Sequence, residues 1–121
     1  FAAESNLVGY VDTQRVLRSH PEMQTTMSVL KLEAQKAQQE FEAKAASLDE
    51  KGKAELRQKL TEQVDKKEAS LLNPIYASVR KAIEEVAKAH GITSVVNANA
   101  MVYGGMDLTN EVMAKVSNAK K

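Results

Sequence analysis

The chain has no cysteine and no tryptophan, only two phenylalanines and three tyrosines, and only two prolines and five glycines among 121 residues. Without cysteine there is no disulfide, no zinc-thiolate site and no thiol nucleophile, although the compartment stays open. So few aromatic side chains give a large globular core little to build on, and so few breakers leave long stretches free to be helical. Charge of one sign is lacking as well. Seventeen basic residues stand against sixteen acidic ones, for a formal net charge of +1, so no global field selects nucleic acid or a membrane surface as partner. No apolar run approaches the roughly 20 residues that span a bilayer. The first residues, "FAAES", lack the charged and apolar regions of an intact signal peptide. Their small residues Ala2 and Ala3 fit either the remnant of a cleavage site or a cloning scar.

What is present is charge in balance, interleaved along a helix-favouring middle. Between Glu22 and His90 basic and acidic residues alternate without forming a block, the pattern of a solvated helical surface. In "NLVGYVDTQRVLRSHP", Leu7, Val8, Tyr10 and Val11 form a β-prone run interrupted by Gly9. Asp12 is placed to cap a short helix containing Val16 and Leu17. Ser19 and Glu22 have capping-box spacing, and Pro21 suits a first helical turn, so a new helix is predicted to start near Pro21.

In that helix Met23, Met27, Leu30, Ala34, Ala37, Phe41, Ala45 and Leu48 recur every three or four residues. This narrow seam suits burial against one partner helix. Gly52 is the only strong breaker between Pro21 and Pro74, which predicts a hairpin tip there, against the alternative of one unbroken helix. Beyond it Leu56, Leu60, Val64, Leu71, Ile75, Val79, Ile83 and Val86 carry the stripe on, past a kink expected at Pro74, to a stop at Gly91. At 1.5 Å per residue the two helices would run ~46 and ~57 Å, too long to lie within a compact domain of this length. A hairpin that projects is therefore expected.

The end changes character. Ile92, Val95 and Val96 read as a strand, "NANA" as a connection, and Met101, Val102 and Tyr103 as a second strand forming a hairpin with the first. Gly104 and Gly105 would then turn the chain into a last helix carrying Leu108, Val112, Met113 and Val116, capped by Thr109 or by Asp107. The fold class is α+β, mostly α. Residues 1–20 and 91–121 would form a β-rich association body, and 21–90 a helical hairpin with its tip near Gly52. Strands at both ends bring the ends together into a body with a thin core, which self-association would cover.

Sites for chemistry are sparse. Asn97, Asn99, Tyr103 and Asp107 form a polar cluster, but no histidine lies near in sequence and Thr93 and Ser94 stand in no nucleophile motif, so turn-forming roles are the better reading. "YGGMD" lacks the glycine pattern and the lysine of a phosphate loop. His20 and His90 have no ligand spacing; they fit a helix start and a last helical turn. The methionines at 23, 27, 101, 106 and 113 sit at packing positions. Lys51, Lys53, Arg57 and Lys59 surround the tip among intervening acids, which fits a solvated helix turn first and a weak contact with anionic clients or lipid head groups second. No catalytic, metal or cofactor-binding residue is assigned, and an enzyme is not expected.

The ordered combination of "VGYVDTQRVLRSHPE", "LLNPIYASVRKAIEEVAKAHGITSVVNANAMVYGG" and "DLTNEVMAKV" resembles the Skp, or OmpH-like, periplasmic chaperones of double-membraned bacteria. The resemblance implies a homotrimer with a β-rich body and three helical tentacles around a cavity. Such a trimer holds unfolded outer-membrane proteins without ATP. It also implies a periplasmic location and a removed signal peptide. By that resemblance Val8, Tyr10, Val95, Val96, Met101, Val102 and Tyr103 belong to the body strands that assemble the trimer, and Ile75, Val79, Ile83 and Val86 pack the tentacle root. The helices here look shorter and nearer neutral than in the best-known members, so no lipid-binding residues carry over. The competing reading is a coiled-coil adaptor that binds one folded envelope partner.

Overall fold

A computed structural model describes residues 8–119; the "FAAES" start and Leu7 lie outside the described residues. The elements in order are β1 (Val8–Val11), α1 (Thr13–Ser19), α2 (Met23–Ala45), α3 (Glu50–Ala89), β2 (Ser94–Asn97), a short 3₁₀ turn (Ala98–Ala100), β3 (Met106–Asp107) and α4 (Thr109–Ala119). The chain divides into two compact units: residues 1–24 with 74–121, and residues 25–73. The first unit reaches further along α3 than the expected boundary at residue 91, because Val79, Ala82, Val86 and Ala87 of α3 bury in the same core as the sheet.

In this unit β1 is the middle strand, with β2 on one side and β3 on the other. Both neighbours run parallel to it, Gly9 standing opposite both Val95 and Met106. The expected hairpin is therefore absent. Met101, Val102 and Tyr103 are not a strand: the Met101 N–H closes the 3₁₀ turn on the Ala98 carbonyl at 3.1 Å, and the third strand comes five residues later. A parallel arrangement cannot be made by a tight reversal, since the chain must first cross back to the other end of its neighbour. Residues 98–105 make that crossing.

The core joins Val11 of the sheet, Val16 of α1, the 79–87 stretch of α3, Ile92, and Leu108, Val112 and Val116 of α4. Gly9 faces it without a side chain; a Cβ there would stand 2.8 Å from Leu108 Cδ1, so close packing of the loop before α4 requires this glycine. Asp12 caps α1 as expected, accepting the Arg15 N–H at 3.2 Å.

Helix limits differ from the sequence reading in two places. Ser19 does not form a capping box; its hydroxyl turns back to the Val16 carbonyl at 2.7 Å. His20 serves the turn instead, its Nδ1 accepting the Glu22 N–H at 3.0 Å, and α2 starts at Met23. The break between the long helices falls at residues 46–49 rather than at Gly52. Asp49 there accepts the Gly52 N–H at 2.7 Å, which draws Gly52 into the first turn of α3.

The C-terminal end of α3 follows the sequence reading. Gly91 has φ +69°. The Ile92 N–H reaches back to the Ala87 carbonyl at 2.9 Å and the Gly91 N–H to Lys88 at 3.1 Å, the paired bonds of a Schellman motif. Because a Cβ at Gly91 would meet nothing within 4 Å, Gly91→Ala isolates the cost of the left-handed backbone. Denaturant unfolding is expected to show a loss of about 1–2 kcal/mol, and D-alanine at the same position should restore the wild-type midpoint.

Candidate interaction surfaces

The sheet has two unlike faces because side chains alternate along each strand. Gly9, Val11, Val95 and Met106 face the helices. Val8, Tyr10 and Val96 share the other face, where Val8 and Val96 are each 37% exposed. The expected body residues are thus divided: Val95 packs inward, whereas Val8, Tyr10 and Val96 line the outer face. Met101 is half-buried, and Val102 and Tyr103 stand out from the connecting loop.

Two side-chain acceptors fasten the loops at the ends of the strands. Asn97 Oδ1 takes the N–H and the hydroxyl of Thr13, each at 3.2 Å, and the Ala98 N–H at 3.0 Å. It thereby ties the end of β2 to the start of α1. Thr109 Oγ1 takes the Asp12 N–H at 3.0 Å. Thr109 does not cap α4, of which it is the first residue; Asp107 Oδ1 takes its N–H at 3.0 Å instead. Hydrogen bonds from the Thr109 side chain and then its backbone hold the Asp107 carboxyl below the usual carboxylate range. Of the polar cluster read from the sequence, Asn97 and Asp107 are structural fastenings, whereas Tyr103 is exposed. Asn97 lies 84 positions from Thr13, and Thr109 lies 97 positions from Asp12, which is why residue spacing gave no sign of these contacts.

Of the expected root residues, Ile75, Val79 and Val86 are buried and Ile83 packs at the edge of the core. Around them α4 is joined to α3 by His90 Nε2 at 2.8 Å from Glu111 and by Lys115 at 3.2 Å from Glu85.

In the unit formed by residues 25–73, α2 and α3 face each other across a cleft of ≈ 480 Å³ floored by Ala34, Ala37, Phe41, Leu60 and Val64. The alanines of the seam leave it incompletely filled. Met27 and Leu32 of α2 are 54% and 52% exposed. The four basic residues expected near the tip do not act alike. Lys51 is exposed, Lys53 pairs with Glu50 at 3.5 Å, and the Arg57 guanidinium lies 5.0 Å over the Phe41 ring. The Glu40 carboxyl is lowered by its hydrogen bond and charge contact with Lys44, and Lys59 adds to this.

Among the described residues no group of three or more His, Asp or Glu could hold a metal ion, and no helix is long and apolar enough to cross a membrane. The fold defines a mostly helical α+β protein with a small parallel sheet. The family follows from comparison: the model described as outer membrane protein (OmpH-like) matches residues 50–116, more than half of the chain, and the chain belongs to this family. A crystal structure of a candidate OmpH-like outer membrane chaperone from Caulobacter crescentus CB15 has a similar fold. Its TM-score is 0.62 at 15% identity, over 99% of this chain and 88% of that one. No curated protein matches.

The lowered Asp107 carboxyl makes a signed prediction. A group whose folded pKa is depressed contributes stability above its unfolded pKa and loses it as pH falls through the folded value. Asp107→Asn should therefore lower the urea midpoint at about pH 6, and the difference from wild type should close as pH falls through the lowered folded value. A gap independent of pH would mean that the carboxylate charge is not what holds Thr109.

Proposed function

We propose that the chain is an ATP-independent periplasmic holdase. It assembles as a homotrimer through the β-bearing unit and keeps unfolded outer-membrane proteins from aggregating between helical arms. The observation that carries this reading is the exposed apolar surface of α2, with Met27 and Leu32 more than half accessible on a charge-balanced helix. Methionine and leucine on a surface without strong net charge give many weak, adaptable contacts, which suit clients that share no sequence. Family membership supports the same class of client, and the open cleft between α2 and α3 adds apolar area of the same kind.

Assembly would use Val8, Tyr10, Val96, Met101, Val102 and Tyr103, with Val95 supporting the sheet from within. Ile75, Val79, Ile83 and Val86 would hold α3 at the root of the arm. Lys51, Lys53, Arg57 and Lys59 are secondary client contacts near the tip, with only a weak role for lipid. Nothing in this reading calls for a cofactor or nucleic acid.

Light scattering from a denatured outer-membrane β-barrel diluted out of urea checks the activity. Aggregation should be suppressed at about one trimer per client, without ATP; undiminished scattering would refute the holdase, and capture of a single folded envelope partner would replace it with the adaptor. Val96→Asp checks assembly. Val96 is partly exposed in one chain, so the fold should persist, while an unpaired carboxylate buried between chains costs several kcal/mol. Sedimentation should show the mass falling from about three chains to one.

A further inference from the structure

The spacing of apolar residues predicts Met27 in the inward seam of α2, between Met23 and Leu30. The structure turns Thr26 inward instead: Thr26 is 7% exposed and Met27 54%. The other four methionines, Met23, Met101, Met106 and Met113, are part-buried. Met106 and Met113 pack against the core of the β-bearing unit. The Met101 methyl lies against the Gly105 backbone, 2.8 Å from where a Cβ on that glycine would stand. Of the five sulfurs in the chain, that of Met27 is the one most open to solvent.

This exposure has a chemical consequence because the chain has no cysteine. A thiolate is the group that ordinarily takes an oxidant first; here the thioethers are the only sulfurs present. A thioether needs no base and no second reactant beyond a peroxide. Its sulfur lone pair attacks one oxygen of hydrogen peroxide, an S–O bond forms as the O–O bond breaks, and the departing hydroxide takes up the proton of the transferred oxygen to leave as water. Sulfur loses two electrons and the peroxide gains two. The rate depends on access, so a sulfur packed in a core reacts only as the structure around it opens.

We propose that Met27 is a modification site, oxidised selectively by peroxide to methionine sulfoxide, and that the modified chain holds unfolded clients more weakly. This rests on the holdase reading above and adds a control to it. The sulfoxide replaces an adaptable apolar side chain by a polar one. At Met27 the change falls on the exposed apolar surface of α2, which Val29 and Leu32 share at 37% and 52% exposure, so the surface alters while the core does not. Reduction of the sulfoxide reverses it.

The test treats the full chain with graded hydrogen peroxide and follows each methionine by peptide mass spectrometry. Met27 should be oxidised at a dose that spares Met23, Met101, Met106 and Met113, and the preference should vanish in urea. Two variants separate sulfur chemistry from polarity. Met27→Leu keeps an apolar side chain of similar size without the sulfur, and Met27→Gln makes the position polar with a comparable helix former. In the light-scattering assay, peroxide-treated wild type and untreated Met27→Gln should each need about three- to tenfold more protein for the same suppression. Met27→Leu should hold the client before and after peroxide, and methionine sulfoxide reductases of both epimer specificities should restore the treated wild type. Equal oxidation of all five methionines in the folded chain overturns the site. Full suppression by wild type oxidised at Met27, or loss of suppression by treated Met27→Leu, overturns its role. If the untreated wild type suppresses nothing although Met27 is oxidised first, the holdase reading has failed and the weakened hold falls with it, while the selective modification stands.

Discussion

Everything in the β-bearing unit depends on the pairing of one four-residue strand, Val8–Val11, between two strands from the far end of the chain. A central strand in so small a sheet has no substitute. Its inner side chains meet α1, α3 and α4 in one core, its carbonyl at Tyr10 receives the Leu108 N–H at 2.9 Å, and the residue after it is fastened to Thr109. Removing it would leave β2 and β3 without a partner and the helices without a common surface.

That central position also explains which parts of the architecture were legible in the residues. Local interactions were legible, in the Asp12 cap and the Gly91 stop. The tip was placed at Gly52 because glycine is the stronger breaker on average; Asp49, an acceptor three residues earlier, outweighs it here by capping the helix that contains the glycine. The last strand was misread for a different reason. Met101, Val102 and Tyr103 have strong β preference, but a strand forms only where an edge is available to pair with, and the free edge of β1 meets Met106 and Asp107.

The surfaces were less legible than the core. The family resemblance placed seven side chains in one association body, whereas the geometry gives them different situations: Val95 inward, Val8, Tyr10 and Val96 on the outer face, Val102 and Tyr103 on a projecting loop. Period-two alternation would have separated Val95 from Val96, but the loop residues carry no such period. Likewise the balanced charge of α2 and α3 was plain in composition, while the stacking of Arg57 on Phe41 depends on two helices facing each other.

The fastening of Asp12 to Thr109 across 97 positions has a consequence for the order in which the molecule can come into being. Synthesis runs from the N-terminal side, so the central strand emerges before its two neighbours and has nothing to pair with until they follow. Helices can form as they appear, since their bonds are local. The sheet cannot, because closing so long a loop must precede any reward from strand pairing. Until β3 is released, the sheet of this chain stays open on one side.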